Sequence, residues 1–165
     1  MQPSSRERIS VPLEPIFVLV EGVWEVAGLC GSLLLNVVGT APSPAGEAAL
    51  EVPFRADSGA AVTRMSLVQA EQLGLPIPSE TVTRQYLTAT GPITQIVREG
   101  RIRAFVPGWA RQGPYDWPCV FIEDQPEMVP PLLGLYGVIQ DLRLTFDGTS
   151  TPGAFFGNLI VDALR

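Results

Sequence analysis

The sequence predicts a mainly β protein, a small closed barrel with one or two short helices, and three observations support this class. The chain has 165 residues, the size of one domain. Its sixteen prolines and sixteen glycines disfavour long helices and favour short strands joined by turns. Several apolar runs also alternate with polar residues as strands do. We expect a flexible tail over residues 1–11 and a single domain over residues 12–165.

The amino-terminal part contains two apolar runs, residues 16–20 and 32–38, which we interpret as strands buried in a sheet. The stretch from residue 16 to residue 38 is long enough to cross a membrane, but Glu21, Glu25 and several glycines interrupt it. Two strands are therefore favoured over a membrane span, and no membrane partner is expected.

A third alternating run, residues 49–56, ends in the tetrad Asp57-Ser58-Gly59-Ala60. A strand that feeds a tight turn is a rigid mount for a carboxylate, and a glycine lets backbone amides approach that carboxylate closely. Asp57 is therefore a candidate for general acid/base chemistry. The alternative is an ordinary turn between two strands, in which the aspartate accepts local amide hydrogen bonds.

The middle of the chain predicts one helix and one hairpin. Ser66 and Gln69 have the pattern of a capping box, which begins a helix that Gly74 can end. Residues 86–96 predict two strands around a turn formed by Gly91 and Pro92.

The carboxyl-terminal part contains a second glycine motif. An apolar stretch ends at Leu132-Leu133-Gly134, after which residues 135–141 can form a helical turn or two. Residues 142–148 alternate as a strand, and residues 152–161 form a further apolar strand close to the end.

In order and spacing, these parts resemble the retropepsin-like aspartic proteases, the retroviral-type family with bacterial and cellular members. A half-site of that family is a strand, an Asp-Thr/Ser-Gly-Ala loop, a flap hairpin, an apolar-apolar-Gly motif and a short helix. The resemblance extends over roughly residues 47–148. The chain departs from the family where Leu135-Tyr136 replaces a frequent polar pair, and where the flap has one glycine instead of several.

The resemblance implies an acid-protease barrel and an aspartic endopeptidase. Asp57 would be catalytic, and Ser58, Gly59 and Ala60 would position the active-site loop. This chemistry needs two carboxylates, one that activates water and one that is protonated and polarises the scissile carbonyl. Because the chain has one tetrad and the length of one domain, we expect a homodimer whose twofold axis brings two Asp57 side chains together. The facing carboxylates would share one proton.

The resemblance also implies that the hairpin is a flap over an extended peptide or protein substrate. It leaves open whether the last strand pairs across the dimer axis or lies in the sheet of its own subunit. The residues expected to form the flap and the apolar subsites are Thr90, Gly91, Pro92, Ile93, Ile96 and Leu133.

Composition excludes several other classes of protein. The chain has no histidine, which excludes Ser-His-Asp and Cys-His catalysis and the commonest zinc sites, and it has no lysine for a Schiff base or a Walker-type phosphate loop. A net charge of -6 without a basic stripe disfavours nucleic acid as a partner. No metal or cofactor is expected.

The two cysteines, Cys30 and Cys119, lack metal-ligand spacing, and we expect both to be reduced and buried in strands. The polar amino terminus does not continue into the apolar region of a signal peptide, so the sequence predicts a cytoplasmic protein.

Two alternatives to the protease hypothesis remain open. One is a dimeric protease-like fold that serves as a non-catalytic peptide-binding or assembly module, as the replaced polar pair and the single flap glycine favour. The other is an unrelated β-barrel in which the tetrad is coincidental.

Overall fold

The computed structural model describes residues 7–43, 46–88, 90–111 and 113–164. Within these residues it contains ten strands, one α-helix and one 3-10 helix. The elements are β1 (Arg8–Val20), β2 (Val23–Ser43), β3 (Gly46–Asp57), β4 (Thr63–Ser66), α1 (Leu67–Gln72), β5 (Val82–Thr88), β6 (Gly91–Phe105), β7 (Tyr115–Ile122), β8 (Leu132–Leu133), the 3-10 helix Val138–Gln140, β9 (Leu142–Asp147) and β10 (Asn158–Ala163).

Six strands form a closed barrel, in the order β6, β7, β4, β8, β3 and β2, because β2 pairs back to β6 through Asn36 and Val37. The short strand β8 lies between β3 and β4, parallel to the first and antiparallel to the second. Alternation along the strands places large apolar side chains inside. The largest fully buried ones include Phe54, Trp117, Phe121, Leu33 and Leu35. The mainly β class with a closed barrel is confirmed.

Both predicted helical segments are present. Ser66 Oγ accepts a hydrogen bond from the amide of Gln69, and Gln69 Oε1 accepts one from the amide of Ser66, each at 3.1 Å. This reciprocal capping box starts α1. Gly74, just beyond the helix, has a φ of 64°, which glycine adopts at little cost.

The predicted hairpin is formed by β5 and β6, but its turn differs from the prediction. Thr88 pairs with Gly91 and Leu87 pairs with Pro92, so Gly91 and Pro92 begin β6 and are not the turn. The strand pairing thus ends at Thr88 and Gly91, and Thr90 lies in the turn between them. Gly91 has a φ of 118°, which a side chain would disfavour.

The predicted tail boundary near residue 11 is wrong, because β1 begins at Arg8. Residues 8–12 pair with β10, and Ile9 and Val11 pack against the core. The Arg8 guanidinium also forms an ion pair of 2.6 Å with the buried carboxylate of Asp162. Residues 1–6 of the predicted tail lie outside the described part of the chain.

The two amino-terminal apolar runs differ in burial. In the second run Leu33, Leu35 and Val37 are fully buried, as predicted. In the first run Phe17 and Leu19 are exposed, so the predicted burial of residues 16–20 is wrong. The reason is that β3 ends at Asp57, opposite Cys30, whereas the β1–β2 hairpin continues beyond that point.

The last strand, β10, lies between β1 and β9 of its own chain and therefore uses both of its edges. Cys30 and Cys119 are buried free thiols, as expected. Among the described residues, no helix has the length and apolar character needed to span a bilayer.

Candidate active site

Asp57 is the last residue of β3 and leads into a tight turn. The amide of Gly59 donates a hydrogen bond of 2.8 Å to Asp57 Oδ1, and the amide of Ala60 donates one of 3.1 Å to the Asp57 carbonyl. The Asp57 side chain is half-buried, while Ser58 and Gly59 are exposed. The barrel thus presents a carboxylate with a fixed orientation at its surface.

The segment after β8 supports this turn through its backbone. The amide of Leu135 donates to the carbonyl of Ala60 at 3.0 Å, and the amide of Tyr136 donates to the carbonyl of Ala61 at 2.8 Å. These are the two positions where the resemblance leads one to expect a polar pair. Their main-chain hydrogen bonds tie the loop to the barrel irrespective of the side chains.

Gly134 is required by the close approach of two backbones. A Cβ on Gly134 would lie 2.2 Å from the carbonyl carbon of Val62, which no side chain can tolerate. The Gly134 amide donates a hydrogen bond of 3.0 Å to the hydroxyl of Thr63, which is fully buried. The sequence identified Gly134 but not Thr63, because a threonine within a strand carries no local signal of this contact.

The two leucines of the second motif have different environments. Leu132 is half-buried and pairs with Arg55 of β3 and Arg64 of β4. Leu133 is fully buried in the barrel core. The expectation that Leu133 lines a substrate subsite is therefore wrong, since its position in a parallel β3–β8 ladder directs the side chain inward.

A cleft of about 280 Å³ lies between the Asp57 turn and β5. Its walls are residues 59–62 and Arg64 on one side and residues 85–87 on the other. The cleft is adjacent to the candidate carboxylate, because Gly59 both lines it and binds Asp57 Oδ1. A second cavity of about 320 Å³ shares Val62 and Tyr86 with it.

Arg64 and Tyr86 face each other across this cleft. The guanidinium carbon of Arg64 lies 5.5 Å from the centre of the Tyr86 ring, within the range of a cation–π contact. Burial raises the pKa of Tyr86, and the nearby Arg64 opposes that shift. Arg64 thus brings a positive charge to a cleft whose other walls are largely apolar. The sequence did not identify Arg64, Gln85, Tyr86 or Leu87 as residues that line a common cleft, although residues 86 and 87 belong to the predicted hairpin. Their proximity to the Asp57 turn depends on strand pairing.

The predicted flap residues lie beyond this part of β5. Thr90 is exposed at the hairpin turn, and the hydroxyl of Thr88 donates a hydrogen bond of 2.7 Å to the carbonyl of Gly91. Ile93 pairs with Tyr86, so both side chains lie on one face of the hairpin. Ile96 pairs with Thr83, and the alternation of the strand places it on the opposite face. The structure therefore brings the turn of Asp57 close to the middle of β5, with Ile96 directed elsewhere.

Cys30 lies opposite Asp57 in the β2–β3 ladder and is buried. Burial raises the pKa of its thiol, so at neutral pH the thiol stays protonated beside the carboxylate.

Comparison with known proteins supports the fold at the level of structure. No family model matches the chain, and no curated protein matches its sequence. Among solved structures, the chain is similar to a retropepsin-like aspartic protease from Rickettsia conorii, with 15% sequence identity and a TM-score of 0.50. The alignment covers 93% of this chain and 98% of that one. The chain therefore has a retropepsin-like fold, as its sequence motifs predicted.

Proposed function

We propose that the protein is an aspartic endopeptidase that acts as a homodimer and hydrolyses peptide bonds with the Asp57 carboxylates of two copies. The observation that carries the proposal is the Asp57 turn itself. It presents a carboxylate beside a cleft, on a fold similar to that of a retropepsin-like aspartic protease. One chain supplies one such turn, so the second carboxylate comes from a second copy.

The chemistry requires the two carboxyl groups to hold different charges. The ionised group takes a proton from a water molecule, whose oxygen attacks the carbonyl carbon of the peptide. The protonated group donates its proton to the carbonyl oxygen, which gives a tetrahedral diol. The second group, now ionised, then takes a proton from a hydroxyl of the diol, while the first group gives the proton it took from water to the nitrogen. The C–N bond breaks, leaving a carboxylic acid, an amine and the two carboxyl groups in their starting states. Two carboxylates brought together at a twofold axis repel each other when both are ionised, so they would share one proton, as the scheme needs.

The loop contacts suit this role because catalysis requires a preorganised carboxylate. The Gly59 amide fixes one oxygen of Asp57, and the backbone of Leu135 and Tyr136 fixes the loop beyond it. The replacement of the family's polar pair by Leu135-Tyr136 was one reason to favour a non-catalytic module. These main-chain contacts weaken that reason, since they support the loop without the polar pair.

The cleft supports recognition of an extended peptide under the hairpin. Val62 and Tyr86 provide apolar surface, and Arg64 provides a positive charge. A substrate side chain that carries a carboxylate would satisfy Arg64, because a guanidinium binds a carboxylate through paired hydrogen bonds. We therefore expect substrates with an acidic residue at this subsite.

The proposal is tested by incubating the protein with a mixed peptide library from acidic to neutral pH and identifying new termini by mass spectrometry. The wild type should cleave, and Asp57→Asn should not. Asp124→Asn is the matched control, because Asp124 is exposed in the turn after β7. Peptides that bind both wild type and Asp57→Asn without being cleaved by either would identify a binding module instead.

A further inference from the structure

The β1–β2 hairpin extends beyond the barrel at the end where Asp57 lies. Its strands pair from Glu14 and Cys30 to Val20 and Val23, whereas β3 ends at Asp57, opposite Cys30. Residues 23–29 of β2 thus continue past the end of β3. At roughly 3.3 Å per residue, this extension is about 20 Å long. We call residues 14–29 the arm.

One face of the arm is apolar and exposed. Phe17 pairs with Val26 and Leu19 pairs with Trp24, so the four side chains lie on the same face. Their exposed fractions are 55%, 54%, 53% and 67%, in that order. The two aromatic rings alone leave about 200 Å² accessible, and with the aliphatic pair the patch reaches the size that marks an interaction site.

The arm also lacks the support that a ribbon of this kind needs. Within the described residues, no strand pairs with the outer edge of β2 at residues 23–29 or with the outer edge of β1 at residues 14–20. An isolated two-stranded hairpin is only marginally stable in water, and an unpaired edge readily accepts another strand. Its exposed apolar face and unpaired edges therefore indicate that another surface covers the arm.

The position of the arm indicates what covers it. In the proposed homodimer, two Asp57 turns meet at the twofold axis, so the second copy lies beyond the end of β3, where the arm projects. The strand β10 has both edges occupied in its own chain and offers no free edge to a partner. The arm carries Glu14, Glu21 and Glu25 and no basic residue, which disfavours binding to an anionic lipid surface.

We infer that the arm docks on a second copy of this chain, with the face formed by Phe17, Leu19, Trp24 and Val26 buried against that copy. The inference rests on the proposed homodimer and adds a specific interface to it. Association through the arm makes the pairing of the two Asp57 turns depend on residues remote in sequence from both the tetrad and the flap.

The test uses the full chain with Asp57→Asn as background, so that self-cleavage cannot intervene, and measures the dimer dissociation constant by sedimentation. Trp24→Ser should raise that constant roughly tenfold or more, as expected for truncating an interface tryptophan. Met128→Ser is the control, because Met128 is exposed in the loop before β8 and should leave the constant unchanged. An unchanged constant for Trp24→Ser would overturn the inference.

Tryptophan emission gives a second readout, since Trp117 is buried and Trp109 is partly buried, while Trp24 is exposed. Emission should shift to shorter wavelength as the protein is concentrated, and Trp24→Phe should abolish the shift. A shift produced by phospholipid vesicles and not by concentration would contradict the inference and identify a membrane surface as the occupant.

The outcomes separate this inference from the proposed function. A wild-type dimer that cleaves peptides, together with a Trp24→Ser variant that dimerises equally well, would overturn the docking of the arm and leave the proposed endopeptidase activity intact. A wild type that dimerises through the arm but cleaves no peptide would support the docking of the arm and overturn the proposed endopeptidase activity.

Discussion

The amide of Gly134 donates a hydrogen bond of 3.0 Å to the buried hydroxyl of Thr63, and this contact joins β8 to the strand that follows the Asp57 turn. Two further hydrogen bonds, from Leu135 and Tyr136 to Ala60 and Ala61, extend the same connection. The orientation of Asp57 thus depends on a segment more than seventy residues further along the chain.

Thr63→Val should destabilise the barrel, because it removes the acceptor and leaves the buried Gly134 amide without its hydrogen-bond partner. The expected loss in the free energy of unfolding is about 1–3 kcal/mol, measured by urea denaturation. Thr63→Ser keeps the hydroxyl and should lose less. Equal stability of the valine and serine variants would show that the hydrogen bond contributes little.

Gly134→Ala should separate β8 from the Asp57 loop, because the new methyl group would lie 2.2 Å from the Val62 carbonyl carbon. We expect a loss of about 1–3 kcal/mol in the free energy of unfolding, together with loss of peptide cleavage. Gly148→Ala is the control, since a Cβ there meets nothing within 4 Å. Similar effects of the two substitutions would contradict the account of Gly134.

Arg64→Met should change substrate preference more than it changes stability. The substitution keeps much of the apolar stem but removes the charge that faces Tyr86 in the cleft. For peptides with an acidic residue at this subsite, kcat/KM should fall roughly tenfold relative to neutral peptides. Arg143→Met, on the exposed side of β9, should alter neither value. A uniform decrease for acidic and neutral peptides would exclude the proposed role.

Tyr86 should contribute to a loss of stability in alkali. Burial raises the pKa of Tyr86 above its ordinary value of 10.0, so the folded state favours the protonated phenol. A raised folded pKa gives a contribution that is fully present below the unfolded pKa, near 10, and is lost as the pH rises through the folded value. Burial shifts Tyr115 in the same direction.

Tyr86→Phe should therefore remove only part of the alkaline decrease in the free energy of unfolding, as measured by urea denaturation at a series of pH values. Phenolate absorbance should show that the missing tyrosine is one of those that ionise late. An equally steep loss of stability with pH in the variant and in the wild type would contradict this role of Tyr86.

The sequence predicts local features of the fold better than contacts between distant segments. The Asp57 turn and the capping box of Ser66 are each specified by adjacent residues. Gly134 was recognised from its local motif, although the contact that requires a glycine there is with the distant backbone of Val62. The exposed arm could not be predicted, because an apolar run has the same pattern whether or not a third strand covers it. Only the end of β3, opposite Cys30, reveals that the run is uncovered.

Contacts across the candidate site illustrate the same limit. Arg64 approaches Tyr86 because β4 and the β5–β6 hairpin both pair with β7, an arrangement set by long-range pairing. Leu133 is directed into the core by its ladder with β3, although its motif alone is equally compatible with a cleft wall. Side-chain direction in a two-residue strand follows from its neighbours and not from its own sequence.

Mixing of subunits tests most directly whether two Asp57 carboxylates act together. Wild type and Asp57→Asn are combined at constant total concentration, allowed to exchange subunits, and assayed for peptide cleavage as the wild-type fraction is varied. If each active dimer needs both carboxylates, the rate follows the square of that fraction and falls to about one quarter at equal amounts. A linear dependence, with about one half of the rate at equal amounts, would contradict the account because each chain would then act alone.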